Sequence, residues 1–573
     1  MSVLLASHVQ SPVAGQVNPH LSADLQLFSG IVGWPPPSAL EQSPAPDVET
    51  VNTWPVSATR RSVAGIRVRS YADDFYYRVH ITPRRLNLGN VASTQASQIT
   101  VWNAWFVPLT LDSISGLEPG VTLSGQSNPP VLYPALAELS YDLGIDTSGP
   151  SNIDLQLQWL FDNGNMPGLR VTGTRIVPWG FAPNWNKGIK EHLAWATDIL
   201  QSPTAAEQRR ALRLSPRREF TATMLLAERD RQRLDLALFA WSGQVWALPL
   251  WHQIQGLQAP LLVDALRIDC DTVDREFTVG GLVILQGETP LPVEVAEVLA
   301  IDGTGIDLAR ELQSAWAKGS RIFPGQAARL TEQPKLKRIS DTADELVVTF
   351  IGVEANDHPA VLPATMYRGF PVLEERPNES KDLSHTLQRL QLALDNGTGI
   401  AQITDTAGRA FPVRQHRWLL DGRAQQAAFR SLLYGLEGRL VAVWLPTHAD
   451  DLTLLADMSN VQLSLDIANI DYARFGLVDG APAPGRRDIR IELRDGTAFH
   501  RRITGATEID ADLERLTIDS ALGVAINTNQ VLRISWLFLC RLDQDGIDIE
   551  HLTDAEGVAL SDAIFKGVRD DEL

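Results

Sequence analysis

The sequence predicts a mainly β chain with some α, built as a β-sandwich followed by two tandem copies of an α/β piece plus a small β-barrel. Three observations predict it. Residues 76–180 carry short alternating segments separated by Gly, Pro and Asn turns, as the strands of a sandwich do. Leu234, Ala237, Leu238 and Trp241 recur at i, i+3, i+4, i+7, and adding 195 to each number gives Phe429, Leu432, Leu433 and Leu436 in the same register. Each quartet precedes a glycine, Gly243 and Gly438, and then an apolar strand, 244–251 and 439–446. One helix, glycine stop and strand arises easily by chance; two in one register point to duplicated units over 181–353 and 370–568.

The elements follow in order. Residues 1–75 are rich in Pro, Ser, Val and Ala, with Pro35, Pro36 and Pro37 after Trp34, and read as an extended arm. Such an arm either lies along a neighbouring subunit or is a mobile terminus. Strands are expected at 77–81, 86–91, 98–103, 121–123, 137–143 and 153–161 of the sandwich. Its "LNLGNV … QITVWN" phrase resembles the opening of immunoglobulin-like sandwiches of structural and adhesive assemblies. The α/β module of copy one covers 181–265 and its small barrel 266–360, with strands at 277–285, 293–299, 305–308, 320–324 and 346–350. In copy two the α/β module covers 361–470 and the barrel 471–573, with strands at 489–493, 501–504, 515–518, 531–539 and 559–568. Arg329-Leu330 matches Arg541-Leu542, and Phe350–Val353 matches Phe565–Val568 at an offset of 215, so insertions lie in loops of copy two.

Composition narrows the function classes. The chain has 573 residues and a formal net charge of −19, with Asp and Glu dispersed, a surface that repels nucleic acid. No apolar run of about 18 residues predicts a membrane span. The opening "MSVLLASHVQSPVAGQ" lacks the basic region and apolar core of a signal peptide. Cys270 and Cys540 occupy non-equivalent places in the copies and are expected as reduced, buried thiols. Tryptophan is abundant, 15 against 8 tyrosines, which suits β-rich cores and also protein or sugar contacts.

No constellation predicts catalysis. Asp302-Gly-Thr-Gly-Ile-Asp307 reads as a hairpin turn rather than a phosphate loop, and the zinc-protease helix and nucleophile-elbow motifs are missing. His448-Ala-Asp-Asp451 could be drawn as a metal site, but polar turn residues are expected at that strand end and copy one has no equivalent. Glu550-His-Leu-Thr-Asp554 invites a His/Asp dyad, yet alternation puts His551 on the face opposite Glu550 and Leu552. Trp241, Trp246, Trp251 and Trp444 are expected in the core rather than stacked on sugars. A hydrolase would need paired carboxylates in a recognisable context. No catalytic, cofactor-binding or metal-binding residue is therefore assigned, and no enzyme activity is expected.

The segment 417–454, "RWLLDGRAQQAAFRSLLYGLEGRLVAVWLPTHADDLTL", resembles a block in tail-tip proteins of long-tailed, non-contractile bacteriophages. There a helix ending in Leu-x-Gly-Arg leads to a strand ending in Trp-Leu-Pro-Thr. The closing "LCRLDQDGIDIEHLTDAEGVAL" is similar to the ending of the same proteins, with Phe565-Lys-Gly-Val-Arg569 where they carry Val-Glu-Val. Copy one keeps Arg329-Leu330 and Phe350–Val353 but lacks Leu-Pro-Thr. The likeness spans about residues 180–568. It implies a structural virion protein of the distal tail end, either distal tail protein or baseplate hub, made in the bacterial host cytoplasm. Implied partners are itself as a ring, with a trimer favoured and a hexamer allowed, and the tail tube, tape measure, hub and tail fibre proteins. Neither nucleic acid nor membrane insertion is implied. Three chains with two copies each would match a six-fold tube. The alternative is a module that adheres to a cell-surface glycan through the sandwich and exposed tryptophans.

Overall fold

The computed structural model describes residues 53–58, 61–66, 75–91, 94–146, 149–150, 152–555 and 557–571. Within the expected arm, β1 (Thr53–Ala58) and β2 (Arg61–Ile66) pair antiparallel, Thr53 opposite Ile66. The β-formers in "TWPVSA" and "SVAGI" outweigh the local proline content. Apart from Phe75, the rest of the arm lies outside the described residues. The chain is mainly β and divides into two compact units, 1–177 and 178–573.

In the first unit, β3 (Val79–Thr82), β4 (Arg85–Val91), β5 (Gln95–Asn103), β6 (Leu109–Ser115), β7 (Val121–Ser124), β8 (Val131–Tyr133), β9 (Glu138–Ile145), β10 (Asn152–Phe161) and β11 (Gly168–Pro178) form two sheets. One runs β3-β5-β9-β7, and in the other β8, β6, β10, β11 and β4 are neighbours. Alternation decides which side chains go inside: Ile153, Leu155, Leu157, Trp159 and Phe161 of β10 are all buried. They share one core with Ile99, Val101, Leu111 and Val171. The sequence pattern missed β6 and β11, where polar residues interrupt the alternation, and β8, whose three residues Val131-Leu-Tyr133 are too few to show a period.

The second unit opens with β12 (Ile189–Ala194), the hairpin β13 (Thr197–Gln201) and β14 (Glu207–Ala211), and β15 (Arg217–Ala227). The helix α1 (Glu228–Trp241) follows, then β16 (Val245–Pro249), a short β17 (Gln255–Gly256), β18 (Arg267–Asp269), β19 (Leu282–Gln286), β20 (Val293–Asp302), β21 (Gly305–Leu308), β22 (Arg321–Leu330), β23 (Lys337–Arg338) and β24 (Ala343–Gly352). Two minor strands, β25 (Met366–Tyr367) and β26 (Phe370–Pro371), precede a long hairpin of β27 (His385–Leu394) and β28 (Gln402–Asp421). After it come α2 (Arg423–Leu436), β29 (Val443–Pro446), β30 (Ser464–Ala468), the minor pair β31 (Leu477–Val478) and β32 (Ala481–Pro482), β33 (Asp488–Leu493), β34 (Ala498–Glu508), β35 (Leu513–Ile518), β36 (Val531–Leu542), β37 (Gly546–His551) and β38 (Val558–Gly567).

The pairings before and after residue 360 run in the same order. Strand β15 pairs with β24 and β28 with β38; β16 pairs with β22 and β29 with β36. Strand β19 pairs with β20 and β22, as β33 does with β34 and β36. Strand β21 joins β18 to β20, and β35 joins β30 to β34. Strands β22 and β23 flank β24, while β36 and β37 flank β38. The α/β pieces and barrels expected at separate boundaries, 181–265 with 266–360 and 361–470 with 471–573, thus share ladders. No closed barrel of strands occurs among the described residues. Between β36 and β30, for example, irregular residues 452–455 bridge the gap, with the Leu452 amide donating to Ile534 and the Leu455 amide to Asp466.

Both expected helices form, and they end differently. Glu437 and Gly438 after α2 take left-handed φ values of 51° and 65°, whereas α1 ends on right-handed Ser242 and Gly243 has no positive φ. The glycine stop is therefore real only in the second helix. A Cβ on Gly438 would lie 2.6 Å from an Asp545 carboxylate oxygen and 2.8 Å from the Trp195 Cβ; one on Gly243 meets nothing within 4 Å. Gly438→Ala is expected to cost about 1–3 kcal/mol and Gly243→Ala under about 0.5 kcal/mol, compared by urea unfolding.

Candidate functional site

The buried chemistry of the second unit gathers where its two stretches meet. Strand β12 is hydrogen-bonded on both edges: Ile189 to Ala194 run opposite Ala222 to Arg217 of β15, and opposite His551 to Gly546 of β37. Its inward residues are Ile189, Glu191 and Leu193, so period-two alternation drives a carboxylate into the core. The same alternation sends Ile547, Ile549 and His551 of β37 inward. Between these strands the side chains build a closed ionic cluster.

Glu191 is fully buried and saturated. Arg430 of α2 holds both oxygens, Nη1 to Oε1 at 2.6 Å and Nη2 to Oε2 at 2.8 Å. Arg218 of β15 donates Nε to Oε1 at 2.6 Å, and His551 Nε2 lies 2.9 Å from Oε2. Arg218 also forks onto Glu276, Nη1 to Oε2 at 2.6 Å and Nη2 to Oε1 at 3.0 Å, while Arg430 Nη2 lies 3.2 Å from Glu276 Oε1. Gln253 completes the set by donating to Glu276 Oε1 at 2.6 Å. The His252 ring stacks on His551 with centroids 3.8 Å apart. Two carboxylates and two guanidiniums balance, so the cluster is neutral when its histidines are.

The electrostatics follow from that balance. Burial acts to raise the Glu191 and Glu276 carboxyls, but Arg218 and Arg430 hold both well below the usual carboxylate range. Burial, with His551 beside it, lowers His252 to about 3. Burial also lowers His551, outweighing the upward pull of Glu191. A cavity of about 610 Å³ opens next to the cluster, with Arg218, Glu276, His358 and Arg430 among its walls.

Glu191, His252 and His551 bring three potential ligand atoms within 4.8 Å of one another. They do not fit a metal ion. A dication there would have to strip two guanidiniums from Glu191 and then sit beside them. A general base is equally ill served, since Glu191 is saturated and fully buried and Glu276, at the cavity wall, is held by both guanidiniums. What the arrangement does well is clasp β12 and β15 to α2 and β37.

Further contacts extend the joint. The Glu207 carboxylate on β14 receives Arg541 Nε at 2.8 Å and Nη2 at 2.7 Å. The Thr197 amide and hydroxyl donate to Asp545 at 2.8 and 2.7 Å, and Arg439 donates to the Thr197 carbonyl at 2.8 Å. Leu193 and Trp195 join a core otherwise built from later residues, Leu433, Phe538 and Ile549 among them, and Trp195 packs edge-on against Tyr434 at 5.7 Å.

The residues singled out from the sequence fall as follows. His448 is buried at left-handed φ, lowered to about 3 by burial and Arg490, and neither ring nitrogen finds a hydrogen-bond partner among the described residues. Asp451 turns instead to the Thr447 hydroxyl and the Trp536 amide, so His448–Asp451 does not assemble as a ligand set. Glu550 is exposed and His551 buried, as alternation requires; the partner of His551 is Glu191, 360 positions away. Trp246, Trp251 and Trp444 are buried, whereas Trp241 is 49% exposed. Asp302 and Asp307 flank a hairpin, where Arg267 bridges them at 2.9 and 3.0 Å. Cys540 is buried, Cys270 half-buried, and both thiols are free. Sequence reasoning missed Glu191, Arg218, His252, Glu276 and Arg430. The available signal was a glutamate on the apolar face of Ile189-Lys-Glu-His-Leu193.

Among the described residues no helix is long and apolar enough to cross a membrane. No protein-family model and no curated protein matches the chain. Among solved structures, the secreted serine protease VesC from Vibrio cholerae is similar at 8% identity and a TM-score of 0.17, over 53% of this chain and 57% of that one. The chain thus spans little more than half of that protein, and a TM-score that low carries no argument about fold or activity.

Proposed function

We propose that the chain is a structural ring-building protein of the distal tail end of a long-tailed bacteriophage. In this reading residues 181–353 and 370–568 are tandem copies of one unit, and the sandwich at 76–180 is an immunoglobulin-like mount for neighbouring fibre proteins. The carrying observation is the common order of strand pairings in the two stretches, together with the strand-to-strand joint between them. A unit that docks on its own copy edge to edge is a building block for cyclic assembly. Three chains would supply six units, the number that suits a six-fold tail tube. The resemblance of 417–454 and 539–560 to tail-tip proteins supplies the biological setting, with tube, tape measure, hub and fibre proteins as partners. Averaged particle images of the purified protein test the reading: a ring of six repeats from three chains is expected, and isolated single chains would end it.

A second reading, adhesion to a cell-surface glycan, draws on one feature of the sandwich. Phe75, Tyr76, Tyr77, His80, Trp102, Trp105 and Phe106 form a continuous chain of ring contacts, and Phe106 is 54% exposed. Whole-cell binding abolished by Trp102→Ala or Trp105→Ala in a folded protein would favour it over the ring.

A further inference from the structure

The contacts that join the two stretches have register-matched counterparts at the outer ends of the pair, and there they are bare. Matching β15 to β28 through their partners β24 and β38 puts Phe220 and Arg414 at the same position, because Phe220 lies opposite Phe350 and Arg414 opposite Phe565. Carried across the hairpins, Glu191 then matches His385, Leu193 matches Leu387 and Trp195 matches Arg389. Leu193 is fully buried against the second stretch; Leu387 is 57% exposed. Strand β27 shows the same lack of cover at every residue but Leu390, with Leu392 and Leu394 also exposed.

The receiving surface is bare in the same way. Helices α1 and α2 align at an offset of 195, so Tyr434, 7% exposed under Trp195, matches Phe239, which is 92% exposed. Arg541, pinned by Glu207, matches Arg329 through their equivalent pairings with β38 and β24, and Arg329 is exposed. Glu550 and His551, which accept β12, match Lys337 and Arg338 on the exposed edge of β23. The clasping residues differ in kind: where the inner joint has Glu191 and Arg430, the outer surfaces carry His385 and Asp235.

We propose that these two surfaces are the two halves of an interface with a second copy of this chain, β27 of one protomer adding to the β23–β24 edge of the next as β12 adds to β37 within the chain. This rests on the ring-building reading and names its contact. The interface is heterologous, so each protomer offers one donor edge and one acceptor edge and successive additions close a ring. The exposed apolar side chains Phe239, Leu236 and Leu387 would be covered in the assembly, which accounts for an unpaired strand edge beside large exposed apolar groups. The register sets Leu383, Ser384 and His385 opposite Arg338, Lys337 and Leu336 of the neighbour, by analogy with Ile189, Lys190 and Glu191 opposite His551, Glu550 and Ile549.

The test is a disulfide between protomers of the full chain. Ser384→Cys and Lys337→Cys fall directly opposite in the proposed pairing, within bridging distance for an antiparallel pair. Under mild oxidation the double variant is expected to give covalent dimers and trimers on non-reducing gels, and each single variant only monomers. Absence of cross-linking in a folded, oligomeric double variant would overturn the interface and leave the ring reading standing. A native chain that stays monomeric at every concentration would overturn both. Should the double variant fail to fold, Phe239→Arg carries the test, because a 92% exposed side chain contributes little to the fold of one chain. Its native mass is expected to fall to that of the monomer with unchanged thermal unfolding of the protomer; an unchanged oligomer would count against the interface.

Discussion

Replacing Glu191 with alanine is expected to destabilise the 178–573 unit by about 3–5 kcal/mol at neutral pH, the range for removing one partner of a buried ionic set. The size follows from what is left behind. Arg430 loses two hydrogen bonds, Arg218 loses one, and His551 loses its only carboxylate, all inside a core that water reaches poorly. Glu276 would be left facing both guanidiniums alone. Glu191→Gln should cost less, since the amide keeps the shape and one acceptor. Urea unfolding followed by tryptophan fluorescence reads the difference, because Trp195 lies in the adjoining core. An alanine variant within about 1 kcal/mol of the parent would mean that the cluster does not hold the two stretches together.

Acid should destabilise the 178–573 unit as a whole. An unfolded histidine binds its proton near pH 6.5, whereas folded His252, His416 and His448 are each lowered to about 3 and His500 to about 4, in every case with burial as the leading cause. Between those values the unfolded state holds more protons, so stability falls as pH falls. Each such histidine contributes a slope of about 1.4 kcal/mol per pH unit below 6.5, until its folded pKa is reached. Glu191 and Glu276 act in the same direction further down. Their folded pKa values lie below the unfolded ones, and the stability they confer is lost as pH drops beneath the ordinary carboxylate range. The expected result is a melting temperature that declines steadily from pH 6.5 and collapses before pH 4. His252→Phe, which removes one buried titrating ring, should flatten that decline. A melting temperature constant from pH 7 to 4 would contradict the burial of these rings.

The parts of this architecture that were legible in the sequence are those set by local period. Alternation located β5, β9 and β10, and the i, i+3, i+4, i+7 stripe located both long helices. Length and ends were less legible: β28 runs on for 20 residues because β27 and then β38 pair with different parts of it, a non-local fact. Trp241 was expected inside because it continues the helical stripe, yet its side chain is 49% exposed. The matching residue of α2, Leu436, is fully buried, in a core that includes Leu193 and Trp195 of the first stretch. The ionic cluster was out of reach for a similar reason. Its members come from six places between residues 191 and 551, and only Glu191 and His551 carried a local trace, each a polar residue on an inward-facing register. The expected closed barrels failed where irregular residues such as 452–455 stand in for a strand, a substitution that apolar periodicity does not report.

The shared pairing order of the two stretches and the bare counterparts of their joint support the proposal that the chain docks on further copies of itself. The native mass of the purified full-length protein tests it most directly. A species of three times the 63.0 kDa chain mass, persisting on dilution, is the predicted result. A single-chain mass at every concentration would contradict the claim, and a six-chain mass would contradict the matching of two copies per chain to six-fold symmetry.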